Sequence, residues 1–363
     1  MIEILDPMIH AERLAYLLRP AARYGLVDAW TSASDELAAI DPTAGPIASR
    51  YVVYPWRKTI VRLPEADTFW RLRTARNRYL LDEAEQRRWS AALVGVAGLS
   101  VGASALSVCS LTGARRFRLA EHDRLSITNL NRLSASVCDL GLPKLTIAQR
   151  RVLETDPYSE LFALPDGYTP AAAADFLGTG PGDEPLTVLV EEMDDLPAKI
   201  DIRRRARAAG IPVVMATDNG DNAIVDVERF DLDRDYPIFH GLAGDLAGAT
   251  GDDLADPRTR ARIAQRIVGA DLTPRTRFSL TEVGRSLTSW PQLGTAATVA
   301  GAAAAYAARM VATGHGLPSG RYRVDLDRAM LGPAADATDG WNELGEGDFL
   351  AAMSANSEGR QEK

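Results

Sequence analysis

The chain has 363 residues, enough for two domains or for one large domain with extensions. It is 46% hydrophobic and 25% charged, which excludes global disorder and leaves material for a sizeable core. Its 41 Lys+Arg against 49 Asp+Glu give a net charge of −8, which argues against a general binder of nucleic acid or anionic membranes.

Residues 1–50 carry apolar positions at helical spacing over Ala11 to Leu18 and Ala21 to Trp30. Tyr51-Val-Val-Tyr and Thr59-Ile-Val-Arg-Leu read as short strands broken by Pro55, and 65–90 as a helix or helix pair. The pattern then changes. Ala91 to Val96 is a buried strand, Gly95 to Gly102 a glycine-containing turn, and 103–112 a helix. Arg116-Phe-Arg-Leu-Ala is a strand closed by Glu121-His122-Asp123, and Lys144 to Thr155 is a helix. Leu186 to Val190 is a strand, Ala198 to Ala209 a helix, and Ile211 to Met215 a strand. This alternation predicts an α/β fold with a doubly wound, mostly parallel Rossmann-like sheet behind an N-terminal helix-and-strand extension. Trp290 to Ala308 is uncharged, but its Ala, Gly and Thr content and Pro291 predict a core helix rather than a membrane span. Gly178 to Pro185 is a surface turn cluster, and Gly241 to Pro257 is a solvated connector or a mobile lid. The tail after Leu331 is expected to be partly disordered near 354–363. The resulting limits are 1–74 for the extension, 75–331 for the nucleotide-binding domain and 332–363 for the tail.

Cys109 and Cys138 are the only cysteines. Without a CxxC pair a four-cysteine zinc site cannot form, and a disulfide framework is equally excluded. So few cysteines suit a reducing cytoplasm, and the acidic start without a basic n-region is not read as a secretory signal.

Five features carry chemistry. The turn Gly95-Val-Ala97-Gly98-Leu-Ser100 lies between a strand and a helix. It serves either as a phosphate loop, with helix N–H groups facing an anion, or as a plain tight turn, because Ala97 and Ser100 break the strict dinucleotide fingerprint. Glu121, about 20 positions on, suits ribose hydroxyls of either ATP or NAD. Asn129, Asn131 and Arg132, followed by Lys144 opening a helix, supply two cations and polar ligands of the kind a polyphosphate needs. Glu191-Glu192-Met-Asp194-Asp195 follows a strand, where carboxylates reach a phosphate through a bridging Mg²⁺ or else enrich a helix N-terminus. Lys199 adds a further positive charge. Arg76-Asn77-Arg78, taken by itself, is a basic stretch of a charged helix.

The order of these motifs resembles the ThiF/MoeB/HesA family of E1-like adenylyltransferases over about 75–315. A closer resemblance, carried by Tyr54-Pro-Trp-Arg, Asp226 to Asp231, His240-Gly-Leu and Thr288 to Leu293, is to ThiF domains found fused to nitroreductase-like domains. The resemblance implies ATP and Mg²⁺ as cofactors without zinc. It gives Glu121 and Asp123 to ribose, Arg132 and Lys144 to the phosphates, and Asp194 to Mg²⁺. Arg78 matches an arginine that the family inserts into the neighbouring subunit's site, which implies a homodimer. The loop Ala216-Thr-Asp218-Asn219-Gly220-Asp221, near which many members carry a reactive cysteine, has none. The expected reaction is adenylation of a small-molecule or peptide carboxylate, or of an amide, followed by amide formation or dehydrative ring closure in natural-product or peptide tailoring. A separate nitroreductase-like or biosynthetic enzyme is a possible partner; nucleic acid and membrane are not expected. Two other readings stand beside this one: a non-catalytic E1-like scaffold, and an NAD(P)-dependent oxidoreductase, which leaves Lys144 and Asp194 without a use.

Overall fold

The computed structural model describes residues 1–244, 254, 257–268, 271–287, 289–336, 344–345, 347–349 and 351–352. Most of the 241–257 segment and the 354–363 tail, read above as a connector or lid and as disordered, lie outside the described residues. The chain divides into two compact units.

The first unit comprises Met1–Ala91, Ser110–Arg115 and Arg150–Glu160. Its four-stranded sheet has the order β1-β3-β4-β2, with β1 Glu3–Leu5, β2 Gly25–Asp28, β3 Ser49–Tyr54 and β4 Thr59–Pro64. The alternation in β3 and β4 puts Val53 and Ile60 on one face, where they pack with Leu5, Leu14 and Leu17, while Val52, Tyr54 and Leu63 form a second cluster. Helix α1 spans Ala11–Leu17 and α2 spans Trp30–Ile40.

Ala21 to Trp30 is not helical as expected. Pro20–Ala22 forms one 3-10 turn, which Arg23 ends in the left-handed region at φ 55°. Gly25–Asp28 then pairs parallel with β4, and the Gly25 N–H donates to the Lys58 carbonyl. Ladder bonding overrode a helical spacing that no terminal cap supported.

Helices α3, Ala66–Arg73, and α4, Glu83–Ala91, complete the stretch before residue 92. The α3 N-terminus is capped by the Glu65 carboxylate, which accepts the Asp67 and Thr68 N–H groups. Trp89 on α4 is fully buried, and its indole N–H donates to the Thr112 hydroxyl. Asp156 is also fully buried and is paired at 3.2 Å with both Arg73 and Arg115. This carboxylate joins three separate stretches of sequence.

The second unit comprises Ala92–Cys109, Arg116–Gln149 and Leu161–Lys363. Its seven-stranded sheet has the order β11-β10-β9-β8-β5-β6-β7. The strands are β5 Leu93–Ala97, β6 Arg116–Ala120, β7 Glu160–Leu164, β8 Val188–Glu191, β9 Val213–Asn219, β10 Asn222–Glu228 and β11 Gly320–Val324. β9, β8, β5 and β6 run parallel, whereas β10 is antiparallel to β9 and β11. Every residue of β5 and β8 is buried, the mark of strands covered on both faces.

Helix α5 spans Val101–Leu111, α6 Lys144–Thr155, α7 Ala173–Leu177 and α8 Leu196–Ala209. α8 contributes Ile200, Ile202 and Ala206 to a core with Leu93, Leu189, Val213 and Met215. The helix expected after Pro291 runs over Gly294–Ala312 and packs on β8, β9 and β10. Gly301 lets it approach α5, since a Cβ there would lie 2.4 Å from the Ser104 Cβ. Among the described residues no helix is long and apolar enough to cross a membrane.

Candidate functional site

The parallel strands β5, β8 and β9 end on one side of the sheet, where ligands bind in folds of this kind. β5 leads into Gly98, whose φ of +87° is open to glycine at no steric cost. The Gly98 N–H donates to the Ala120 carbonyl at 2.9 Å. A Cβ at Gly98 would lie 2.5 Å from the Glu192 carbonyl oxygen. Gly98→Ala is therefore expected to cost more than about 1 kcal/mol, read as a lower urea midpoint.

Glu121 stands at the end of β6 and is buried. Its Oε2 accepts the Leu99 N–H at 2.8 Å, and its Oε1 accepts the His122 and Asp123 N–H groups at 2.8 and 2.9 Å. This carboxylate ties the glycine turn to the neighbouring strand. Gly95 and Ala97 lie within β5. Ala97 is fully buried, and a Cβ at Gly95 would lie 2.4 Å from the Leu186 Cδ1.

Lys144 opens α6 and is 8% exposed. Its Nζ reaches the Asp123 Oδ2 at 2.8 Å, and its backbone N–H donates to the Asp123 carbonyl at the same distance. The hydrogen bond from Lys144 holds the Asp123 carboxyl below the usual carboxylate range. Asp123 and Lys144, read separately in the sequence, thus form one half-exposed ion pair.

Asn129 is turned inward. Its Oδ1 accepts the backbone N–H and hydroxyl of Ser126 and closes a 3-10 turn. Asn131 and Arg132 form part of a longer chain of hydrogen bonds. Arg132 Nε donates to the Ser100 hydroxyl at 3.2 Å, at the entrance to α5, and its Nη1 donates to the Thr128 carbonyl and the Asn131 Oδ1. The Asn131 amide donates to the Gln292 carbonyl at 2.7 Å, and the Gln292 amide donates to the Asp218 Oδ2 at 2.8 Å. Burial weakens the Arg132 cation, while Asp218 and Asp194 favour it.

Asp218, near the end of β9, is 3% exposed, and burial pushes its carboxyl up to about 6. Neither Asp218 nor Gln292 was picked out as a site residue from sequence. They lie 74 positions apart, and no spacing motif joins them.

The acidic cluster after β8 divides its labour. Glu191 is fully buried and pairs with Lys199 at 3.0 Å and with Arg203. Lys199, expected to add a charge to the site, is committed to that pair. Arg203 also binds Glu228 at 2.7 Å and lies over the Phe239 ring, 4.1 Å from its centroid. Glu192 accepts the Ala216 N–H at 2.7 Å, and burial beside Glu191 pushes its carboxyl well up. Asp195 caps α8 by accepting the Ala198 N–H. Asp194 remains exposed.

Among the described residues no cluster of three or more His, Cys, Asp or Glu is placed to hold a metal. Cys109 is buried in α5, where burial pushes its thiol up to about 12, and Cys138 is exposed on the 3-10 turn Val137–Asp139. Arg78 belongs to the first unit. It follows the turn Ala75–Asn77 and is exposed, as is Arg76, while Asn77 donates to Gln86 and to the Thr112 carbonyl.

The family model for the ThiF family matches residues 74–323. An uncharacterized protein of Mycobacterium tuberculosis (strain CDC 1551 / Oshkosh) is 38% identical over 309 residues, covering 83% of this chain and 42% of its own length. A tRNA threonylcarbamoyladenosine dehydratase of Bacillus subtilis (strain 168) is 29% identical over 124 residues, 34% of this chain and 46% of its own. The chain thus spans less than half of either relative. The tRNA N6-threonylcarbamoyladenosine dehydratase TcdA of E. coli, solved in complex with ATP, is 17% identical. That match covers 69% of this chain and 97% of the other with a TM-score of 0.50, and it shows a shared fold. With the motif order and the parallel-centred sheet, the match over 74–323 establishes that this chain belongs to the ThiF family.

Proposed function

We propose that this protein is an ATP-dependent adenylyltransferase that activates a carboxylate or an amide, with 75–331 as its adenylation domain. The observation that carries this is Arg132, a guanidinium anchored on Ser100 at the entrance to α5 beside the Gly98 turn. A cation and helix N–H groups then face one anion, as a triphosphate requires. The names of the relatives support the reading: dehydration of a tRNA nucleoside in one, and a shared fold holding ATP in another.

In the proposed first step a substrate oxygen attacks the α-phosphorus of ATP. An O–P bond forms, the bond to pyrophosphate breaks, and an adenylate results. Arg132 and Lys144 neutralise charge on the transferring and leaving phosphates, and positioning does most of the rest. Asp123 and Glu121 border the ribose position. Mg²⁺ fits the donor set only as an ion sharing one exposed carboxylate, Asp194, with phosphate oxygens, which is how it is commonly held. When bound it supplies charge neutralisation at the phosphates. Arg78 is assigned to a second copy's site in a homodimer.

The loop holding Asp218 has no cysteine, so the adenylate passes directly to an amine or closes internally through an amide. Natural-product or peptide tailoring, alone or with a nitroreductase-like partner, is the setting we assign, in the cytoplasm.

The test is exchange of labelled pyrophosphate into ATP, with Mg²⁺ and pools of amino acids, N-acyl amino acids and short peptides. Exchange supported by one pool is expected; absence of both exchange and ATP binding overturns the reading. Asp194→Ala is expected to reduce Mg²⁺-dependent exchange to background with an unchanged circular dichroism spectrum. Full exchange in that variant removes Asp194 from the metal.

A further inference from the structure

The end of β9 carries a carboxylate that its neighbours leave half satisfied. The Asp218 Oδ2 accepts the Gln292 amide, but its Oδ1 is buried without a hydrogen-bond partner. A buried carboxylate oxygen lacking a donor is costly, and such an atom in a folded protein calls for an explanation, of which a catalytic role is one. The charged groups that face Asp218 are Arg132, which favours its anionic form, Asp194, which opposes it, and Glu192, whose negative charge it repels. The chain Ser100, Arg132, Asn131, Gln292, Asp218 fixes this oxygen in the same hydrogen-bond network as the glycine turn.

We propose that Asp218 is the proton acceptor for an amine that captures the adenylate, its Oδ1 receiving the N–H of the incoming nitrogen. This rests on the adenylation proposed above and names the class of the second substrate. The loop has no thiol to take the acyl group, so the capturing group must arrive with its own proton to lose. The nitrogen lone pair forms the N–C bond to the acyl carbon. The C–O bond to the phosphate of AMP breaks, and its electron pair leaves with AMP. The proton passes from nitrogen to Asp218, giving an amide, AMP and a protonated carboxyl that gives up its proton once the products have left. With Gln292 on Oδ2 alone, the Asp218 carboxylate keeps its Oδ1 free to accept that proton.

The experiment compares the native protein with Asp218→Asn in the carboxylate pool that supports exchange. Pyrophosphate exchange reads activation. AMP release with methylamine reads capture by a nucleophile that needs a base. Hydroxamate formation with hydroxylamine, whose weakly basic nitrogen is largely unprotonated at neutral pH and releases its proton to water after attack, reads capture that needs no base from the protein. The expected result is exchange and hydroxamate formation within about threefold of native, with methylamine-dependent AMP release lower by about 100-fold or more.

Unchanged methylamine-dependent release in Asp218→Asn overturns the proposal. So does a native protein that exchanges but gains no AMP release from methylamine. Equal loss of exchange and of capture in a folded Asp218→Asn places Asp218 in activation instead and also overturns it. If Asp218→Asn does not fold, Asp218→Glu, which moves the base by one methylene, must show the same split, and equal rates in all three assays overturn the proposal. A native protein that shows no exchange in any pool refutes the underlying adenylation, a failure distinct from these.

Discussion

Arg203→Met is expected to remove about 3–5 kcal/mol of stability, because it leaves Glu191 and Glu228 buried without the cation between them. Arg203, Glu191 and Glu228 are all essentially inaccessible to solvent. Water cannot replace the lost partner, and Lys199 compensates Glu191 alone. The pH dependence has a definite sign. Burial raises the Glu191 carboxyl, but Lys199 and Arg203 more than offset this and hold it below its ordinary value of 4.5. A lowered carboxyl contributes stability that is present above its unfolded value and lost as pH falls through its folded one. In Arg203→Met that contribution shrinks, and protonation relieves the uncompensated charge. The deficit against the native protein is therefore largest near pH 7 and narrows on acidification towards about pH 5. Urea denaturation of both proteins across that range measures it. A deficit that widens on acidification contradicts the account.

Arg132→Ala is expected to lower the exchange rate by about 10²–10³-fold, the loss typical of one preorganised donor facing developing charge. The side chain is only half-buried, so the fold persists while Ser100 and Asn131 lose their donor. Removing the cation also takes away the group that favours the Asp218 anion, and the Asp218 carboxyl moves further up. Arg132→Lys restores charge without the forked geometry that reaches Ser100, Thr128 and Asn131 together, so it recovers exchange only in part. Exchange in Arg132→Ala equal to native excludes Arg132 from the triphosphate.

The sheet centre was legible in the sequence because strands buried on both faces read as short apolar runs. Leu93–Ala97 and Val188–Glu191 are of this kind. β10 was missed for the opposite reason. Asn222, Asp226 and Glu228 make it look polar, yet all seven of its residues are buried. Their partners lie far off in the chain: Asp327 for Asn222, Arg321 for Asp226 and Arg203 for Glu228. The site divides in the same way. Asn129, Arg132, Lys144 and Asp194 follow the glycine turn in a readable order. The structure adds what order cannot carry, that Lys144 is held by Asp123 and that Arg132 is joined through Gln292 to Asp218. By residue type alone the five acidic and basic groups after β8 are equals, and only the family resemblance singles out Asp194. Burial separates them, enclosing Glu191 beside the partly buried Lys199 and leaving Asp194 and the helix-capping Asp195 in reach of solvent.

The Asp156 cluster bears on synthesis at the ribosome. Arg73 and Arg115 emerge well before the carboxylate that pairs with them, and the Tyr54 hydroxyl waits for the carbonyl of Leu153. The nascent N-terminal segment therefore holds two cations aimed at a buried position until translation has passed residue 156. Chains arrested before that point are expected to remain sensitive to protease over 1–91, and chains released beyond 160 to be protected. The stretch that looks from its numbering like an independent leading domain is then the part of the first unit that waits longest for its own completion.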